Sequence, residues 1–515
     1  MTVHLARPRR LLAIPLGLAV ASALAVLPAT GAAAADTGAG GAPDRPAAAA
    51  TDGSPMSYVV NVVPGLGKTS YLKRAIARAG GEIVTSYERI GVVVVKSSAA
   101  DFAKDIREVP GVQSAGATRT TPLTAQSTTD MGAPVKLSAA GAKAAEKKAE
   151  TAQDPLEPLQ WDLAAIKADK AHKKTLGSSK VTVAVIDTGV DDTHPDIAPN
   201  FNREASVNCV GGKPNTADGA WRPSAAESPH GTHVAGEIAA AKNGIGMTGV
   251  APGVKVSGIK VSTTDGFFYT EAVVCGFMWA ADHGVDVTNN SYYTDPWNFN
   301  CKDDPDQKAL VDAVGRATRY AESKGTVNVA ASGNENNDLA SDSILDPASP
   351  NDSTPADRVI DPSKCLDIPT QLPGVVTVSA TGAKGLKSSF SNYGNGVIDI
   401  AAPGGDSTAY QTPAPPATSG LILGTLPGGG YGYMAGTSMA SPHVAGVAAL
   451  IRSTHPHASA AAVKALLYAG ADNTACTDPY DIDGDGTVDA VCEGGKKKNG
   501  FYGEGVANAL NAVRK

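Results

Sequence analysis

The sequence predicts an α/β protein: a mainly parallel sheet with helices on both faces over residues 158–515, preceded by a small α+β module at 57–120. Two patterns carry that reading. From about residue 158 on, β-branched runs such as VTVAVID (181–187), KVSGIKV (255–261), TVNVAAS (326–332) and VVTVSAT (375–381) alternate with helix-like segments at 231–242, 270–283, 306–323 and 438–453. Near-continuous apolar strands separated by helices belong to a parallel sheet, because crossover helices cover both of its faces. Between 57 and 120 the order is instead strand, helix, strand, strand, helix, strand, the pattern of a split βαβ sandwich.

Taken in order, the first 35 residues read as a signal peptide: Arg7, Arg9 and Arg10 precede an apolar run from Leu11 to Leu27, then small residues at Ala32–Ala35. The run is Ala-rich and broken by Pro15 and Gly17, which argues against a membrane anchor and for a secreted, extracellular product. Residues 36–56, rich in Ala, Gly, Pro and Asp, read as a linker. In the module, SYVVNVV (57–63), EIVTSY (82–87), GVVVVKS (91–97) and VQSAGA (112–117) are the strands. Leu72, Ile76 and Ala79 fall at helical spacing, and so do Phe102 and Ile106. Residues 121–157, Thr-rich and then rich in Ala, Lys and Glu, read as a second linker.

The 515 residues carry a net charge of −7, which argues against nucleic acid or an anionic membrane as partner. Export makes the six cysteines candidates for disulfides, and the absence of CxxC argues against zinc. Spacing suggests only the pair Cys476 and Cys492, which brackets one short loop.

Three segment ends carry reactive side chains. Asp187 closes VAVID ahead of a Thr-Gly turn, His230 opens HGTHVAG, where Gly231 allows close backbone approach, and Ser438 sits in GTSMASP. Each alone has an ordinary explanation as a turn aspartate, a structural histidine or a helix cap. The stretch GTSMASPHVAG offers three hydroxyls, and Pro442 discriminates among them. Proline has no N–H and clashes with the carbonyl four residues back, so it is comfortable only in a helix's first turn, and the helix must begin near Ser438. The Ser438 hydroxyl then stands among unpaired N–H groups at the positive end of the helix dipole, where an oxyanion would be stabilised. Thr437 is expected as a cap and Ser441 as a back-bonding or packing hydroxyl. His443, five residues on, points about 140° away and cannot serve as that serine's base. A serine nucleophile needs a base, and the base's imidazole needs a carboxylate to fix its tautomer. Ser438, His230 and Asp187 fill those roles in the chain order Asp, His, Ser. An α/β-hydrolase runs Ser, Asp, His, and GTSMA lacks the second glycine of GxSxG.

These blocks, with GVAPGVKV, AASGNENND, YMAGTSMASPHVAGVAALI and YGEGVANALNAV in order, resemble the subtilisin-family serine proteases. The resemblance implies a subtilisin-like fold and an endopeptidase acting on protein or peptide substrates, with Asp187, His230 and Ser438 as its triad and no cofactor needed for the chemistry. It implies that Asn334 donates its side-chain amide to the oxyanion hole. It makes 57–120 a ferredoxin-like inhibitory propeptide, the chain's own partner until a maturation cut within 121–157. A catalytically dead binding protein on this fold and an esterase using the same triad are the alternatives.

The sequence departs from the family in places. Subtilases typically line the first specificity pocket with Ser-Leu-Gly-Gly, whereas NNSYYTDPW puts Tyr292 and Tyr293 after Ser291, so two rings are expected to narrow or roof the cleft. The family's calcium loop is represented by AKNGIGMTGVAP (241–252), a residue short, with Asp196 remaining as a candidate ligand. DIDGDGTVD (481–489) spaces Asp481, Asp483, Asp485 and Asp489 like the first part of an EF-hand loop, suited to calcium as a structural ion. Cys492 stands where the closing glutamate would be.

Overall fold

A computed structural model describes residues 54–121 and 133–514. The expected signal peptide at 1–35, nearly all of the linker at 36–56 and the stretch 122–132 lie outside the described residues.

The small module follows its expected order: β1 (Met56–Val62), α1 (Ser70–Arg78), β2 (Gly81–Tyr87), β3 (Val92–Ser97), α2 (Phe102–Arg107) and β4 (Val112–Ala117). Its strands lie in the order β2-β3-β1-β4, every pair antiparallel. Side chains alternate across a strand. Tyr58, Val60, Val93 and Val95 therefore meet Leu72, Ile76, Phe102 and Ile106 of the two helices on one face. Val59 and Val92 point the other way and join a core of the larger domain. Both faces of β1 are covered, which is why all seven of its residues are buried and its polar Asn61 is hydrogen-bonded.

The segment read as a second linker carries two elements from residue 133 on, β5 (Val135–Lys136) and α3 (Ala139–Glu146). Ser138 caps the helix by accepting the Gly141 N–H at 3.1 Å. Ala145, Leu156 and Leu159 then pack on Met247 and Tyr433. The same Ala/Lys/Glu composition that suggests a linker also favours helix, and the cap with a small apolar face decides for helix.

The large domain continues with α4 (Trp161–Ala165), α5 (Ala168–Ala171), β6 (Thr182–Asp187), β7 (Val207–Asn208), α6 (His230–Ala239), β8 (Lys255–Lys260), α7 (Thr270–Asp282) and β9 (Val287–Asn290). Then come β10 (Asn300–Cys301), α8 (Pro305–Ser323) and β11 (Val327–Ala331). A short insertion follows with β12 (Ile344–Asp346), β13 (Arg358–Ile360) and β14 (Cys365–Leu366). The chain closes through β15 (Val376–Thr381), β16 (Ile400–Pro403), β17 (Ile422–Leu426), β18 (Gly430–Met434), α9 (Thr437–Thr454) and α10 (Ala460–Gly470).

Seven of these strands form one sheet in the order β16-β15-β11-β9-β6-β8-β7, parallel throughout. Val183 and Val185 of β6 face α6 and α9, meeting Val234, Ile238, Val444 and Val447. Ala184 and Ile186 face α7 and α8, meeting Val273, Phe277, Leu310 and Val314. The fold is thus α/β with helices on both faces, as expected. β5 adds to the edge of the β17–β18 hairpin, whose second strand leads into α9.

Three disulfides form: Cys476–Cys492 as expected, with Cys209–Cys275 and Cys301–Cys365. No described helix is long and apolar enough to cross a membrane.

The module docks by its open sheet face on α7 and α8. Asn61 Nδ2 donates to the Ala309 carbonyl at 2.9 Å, and Arg316 Nη1 donates to the carbonyls of Val62 and Gly91 at 2.8 and 2.9 Å. Arg107 pairs with Asp306 and Arg89 with Asp282. A Cβ at Gly116 would lie 2.5 Å from the Asp306 carbonyl oxygen, so β4 rests directly on the start of α8.

Candidate active site

Asp187 ends β6 at the carboxyl edge of the sheet, and His230 opens α6; both are fully buried. His230 Nδ1 stands 2.9 and 3.0 Å from the two Asp187 oxygens. That contact places the ring proton on Nδ1 and leaves Nε2 as an acceptor. Nε2 is buried without a hydrogen-bond partner. The turn after β6 supports the pair: Thr188 N–H donates to Asp187 Oδ1 at 2.7 Å, and Gly231 N–H donates to Thr188 Oγ1 at 2.9 Å. A Cβ on Gly231 would lie 2.4 Å from the Gly189 carbonyl oxygen, so only glycine lets α6 start this close to β6.

Ser438 is the second residue of α9. Its hydroxyl donates to the Ser291 carbonyl at 3.3 Å, a long bond, rather than to His230. Ser291 Oγ donates in return to the Ser438 carbonyl at 3.0 Å. Pro442 explains that second bond, since the residue four positions after Ser438 has no N–H to offer its carbonyl. The structure therefore joins Asp187 to His230, and Ser438 to Ser291.

Asn334 follows β11. Its Oδ1 accepts the Thr437 N–H at 2.8 Å and the Thr437 hydroxyl at 3.0 Å, which leaves Nδ2 as the end not engaged by α9. Thr437 Oγ1 also accepts the Gly333 N–H at 3.1 Å. Thr437 is thus not the expected cap. The N-cap is Gly436, without a side-chain bond, and the Thr437 hydroxyl crosses to a neighbouring loop. Ser441 does not bond back along its helix; its hydroxyl donates across to Asn289 Oδ1 of β9. His443 is buried elsewhere, with Nδ1 on the Met439 carbonyl at 2.7 Å and Nε2 on Asp162 at 3.0 Å.

Ser291, Tyr292, Tyr293, Asn334 and Ser438 line one cavity of about 400 Å³. The two tyrosines do not both roof it. Tyr292 turns into the core, its ring stacked on Phe268 at 4.6 Å and its hydroxyl donating to Asn290 Oδ1 at 3.1 Å. Stacking buries its apolar face while Asn290 satisfies its polar end, which an exposed position over the cleft would not offer. Burial pushes the Tyr292 hydroxyl well above its ordinary value. Tyr293 stays half-buried at the rim, its oxygen accepting from Asn351 Nδ2 at 2.9 Å.

Asp481, Asp483 and Asp485 bring carboxylate oxygens within 4.8 Å of one another. Asp481 also accepts the Gly484 and Gly486 N–H groups at 2.6 and 3.0 Å, shaping the turn. Three hard oxygen donors fit calcium. Asp489 stands apart from them and accepts the Ile482 N–H at 2.7 Å. Asp196 is engaged by protein donors: the Met247 N–H at 3.0 Å, the Tyr431 hydroxyl at 2.9 Å and Asn243 Nδ2 at 3.3 Å. Burial pushes its carboxyl up to about 6.

Sequence reasoning missed the link from Thr437 to Asn334, and also a buried polar chain behind the site. His233 Nδ1 lies 2.7 Å from Glu237, and His443 joins Glu237 at 3.6 Å and Asp162 at 3.0 Å. Glu237 inside the apolar run HVAGEIAA was its signal. Burial raises the Glu237 carboxyl well above its ordinary value and lowers His233 to about 3.

A parallel sheet with acid and imidazole at the carboxyl end of an interior strand, and a serine opening the helix alongside, is the architecture of an α/β serine endopeptidase. The chain belongs to the subtilase family, whose family model matches residues 178–503. It is 32% identical to Subtilisin BL of Lederbergia lenta over 332 residues, 64% of this chain and 97% of that protein. It is equally 32% identical to M-protease of Shouchella clausii (strain KSM-K16) over 356 residues, 69% of this chain and 70% of that one. Among solved structures it is similar to the epidermin leader peptide processing serine protease of Staphylococcus aureus, with a TM-score of 0.62 at 22% identity over 89% of this chain and 98% of that one. Fervidolysin from Fervidobacterium pennivorans aligns with a TM-score of 0.60 at 23% identity, over 90% of this chain and 61% of that one. The chain is a serine endopeptidase whose substrates are proteins.

Proposed function

We propose that the chain is made as a secreted, self-inhibited precursor in which Asp187, His230 and Ser438 are the triad. His230 Nε2 takes the Ser438 proton as Oγ attacks a peptide carbonyl, and Asp187 holds the ring and its positive charge. Asn334 Nδ2 and the Ser438 backbone N–H hold the developing oxyanion. Collapse expels the amine, which leaves with the proton from His230, and water then releases the acyl group by the same steps in reverse. The observation that carries this reading is the Asp187–His230 contact at 2.9 and 3.0 Å with Nε2 left unpartnered. Fluorophosphonate labelling and casein hydrolysis, both lost in Ser438→Ala, test it; labelling that survives the substitution sinks it.

Ser291, Tyr292 and Tyr293 form a wall of the substrate cavity, with Tyr293 the ring that meets substrate. The module up to residue 120 acts as the inhibitory propeptide, and its docking on α7 and α8 supports that role. Residues 1–35 direct export, and maturation cuts within 121–157. N-terminal sequencing of the secreted product tests both, and a product still beginning near residue 36 contradicts maturation. Asp481, Asp483 and Asp485 hold a structural calcium ion; Asp489, committed to the Ile482 N–H, does not ligate it.

A further inference from the structure

The last described residues of the module run into a second recess. Arg119 lays its guanidinium over the Tyr269 ring, 4.1 Å from the centroid, and donates through Nη2 to Glu271 Oε1 at 2.6 Å. Glu271 is 1% exposed, and its Oε2 has no hydrogen-bond partner. Val210, Gly211, Val261, Thr263 and Ala272 form the large-domain wall of a cavity of about 220 Å³, with Pro55, Ser57 and Lys96 at its module side. The loop over Glu271 closes only as glycine: Gly212 has φ +81°, and a Cβ there would lie 2.9 Å from Glu271 Cβ. One residue further on, the Thr120 N–H donates to Asp352 Oδ2 at 2.8 Å. Asp352 adjoins Asn351, whose amide reaches the Tyr293 hydroxyl at the rim of the Ser438 cavity. The chain thus leads from the acidic recess toward the cleft in the N-to-C direction.

In the precursor this carboxylate is enclosed beneath the module, and a charge so enclosed calls for the cation that Arg119 supplies. When the module departs, Pro55, Ser57, Lys96 and Arg119 leave together and open the recess, while Tyr269, Val210, Val261 and Ala272 of the large domain remain beside Glu271. We propose that this recess is a binding site for a guanidinium side chain on the substrate, N-terminal to the scissile bond, filled in the precursor by Arg119. A planar guanidinium satisfies both features at once, stacking on Tyr269 while its N–H fork reaches the carboxylate; an ammonium makes one contact at a time. The site rests on the reading of the module as a removable propeptide of a serine protease, and it adds a class of substrate to that reading.

The test uses the full chain, expressed and left to mature, on quenched peptides in which one arginine is walked through the positions N-terminal to the cleaved bond. Each is compared with its citrulline and lysine counterparts. The expected result is one position where kcat/KM favours arginine over citrulline by at least about tenfold, the worth of one hydrogen bond to a charged group, with lysine between them. In Glu271→Gln that ratio falls to near one. A wild-type ratio near one at every position overturns the site while leaving the protease reading intact, and this arm does not depend on the variant folding. A preference that persists in Glu271→Gln overturns it as well. Failure to cleave any peptide, together with no fluorophosphonate labelling, overturns the parent reading and the site with it.

Discussion

Asn334 accepts the backbone N–H of Thr437 at 2.8 Å, so the loop after β11 and the first turn of α9 are held in one register. The same amide group that anchors through oxygen is free to donate through nitrogen. Position and electrostatics are therefore carried by opposite ends of one side chain, and substitution can separate them.

Asn334→Ala removes both ends and is expected to lower kcat by ~10²–10³ with little change in KM, as for the loss of one oxyanion donor. Asn334→Asp keeps an oxygen for Thr437 but cannot donate, and a loss of similar size is expected. Steady-state kinetics on a peptide anilide decide: if Asn334→Asp stays near wild type, anchoring Thr437 is the residue's whole contribution.

Asp187→Asn leaves the shape of the site but no longer fixes the proton on His230 Nδ1. A fall in kcat of ~10⁴ is expected from the wrong tautomer. Activity restored by raising pH alone would point to charge rather than tautomer.

Burial holds the Asp196 carboxyl at about 6, above its ordinary value of 3.8. The native state therefore binds this proton more tightly than the unfolded chain does. Its contribution to stability is complete below about pH 3.8 and is lost as pH rises through 6. Asp196→Asn retains an oxygen for Met247 and Tyr431 and should erase that decline. Denaturant unfolding in chelator from pH 4 to pH 8 should show the variant gaining on wild type up to about pH 6 and running parallel above it. A constant difference across the range contradicts the assignment.

Calcium bound by Asp481, Asp483 and Asp485 should raise the melting temperature, with the rise abolished by chelator and absent in Asp483→Asn. An unchanged melting temperature with excess chelator removes the ion from the account.

Cys209–Cys275 closes 66 residues and Cys476–Cys492 closes 16. Chain entropy assigns about 4 kcal/mol to the first and about 3 to the second. Paired Cys→Ser replacement at 209 and 275 should therefore lower thermal stability more than replacement at 476 and 492. The reverse order would place the stabilisation in the native loop instead.

The legible parts of this chain are those where burial and secondary structure make the same demand. β6, β11 and β15 are covered on both faces, so their sequences are mostly apolar and β-branched and stand out. β9 does not: it reads Val-Thr-Asn-Asn, polar yet central in the sheet. It is tolerated there because Asn290 Nδ2 donates to the Val329 carbonyl at 3.0 Å and the Thr288 hydroxyl donates to Asn328 at 2.9 Å. Such cross-strand bonds join residues some forty positions apart and leave no periodic trace. The triad candidates were legible by residue type and order, and Ser438 by the proline that follows it. Tyr292 was misread because its direction depends on Phe268, a packing partner on another element. The pairing of β5 with β18 was hidden for the same reason, since an edge strand of two residues has no pattern of its own.

That pairing has a consequence for how activity would appear over time. Val135 and Lys136 are zipped to Tyr433 and Gly432, while Arg119 and Thr120 are held by Glu271 and Asp352. Breaking one peptide bond between Thr121 and Ala133 frees neither side. Cleavage and dissociation of the module are then separate events with separate clocks. The slower sets a lag, first order and independent of enzyme concentration, between the appearance of the shortened chain and the appearance of its activity.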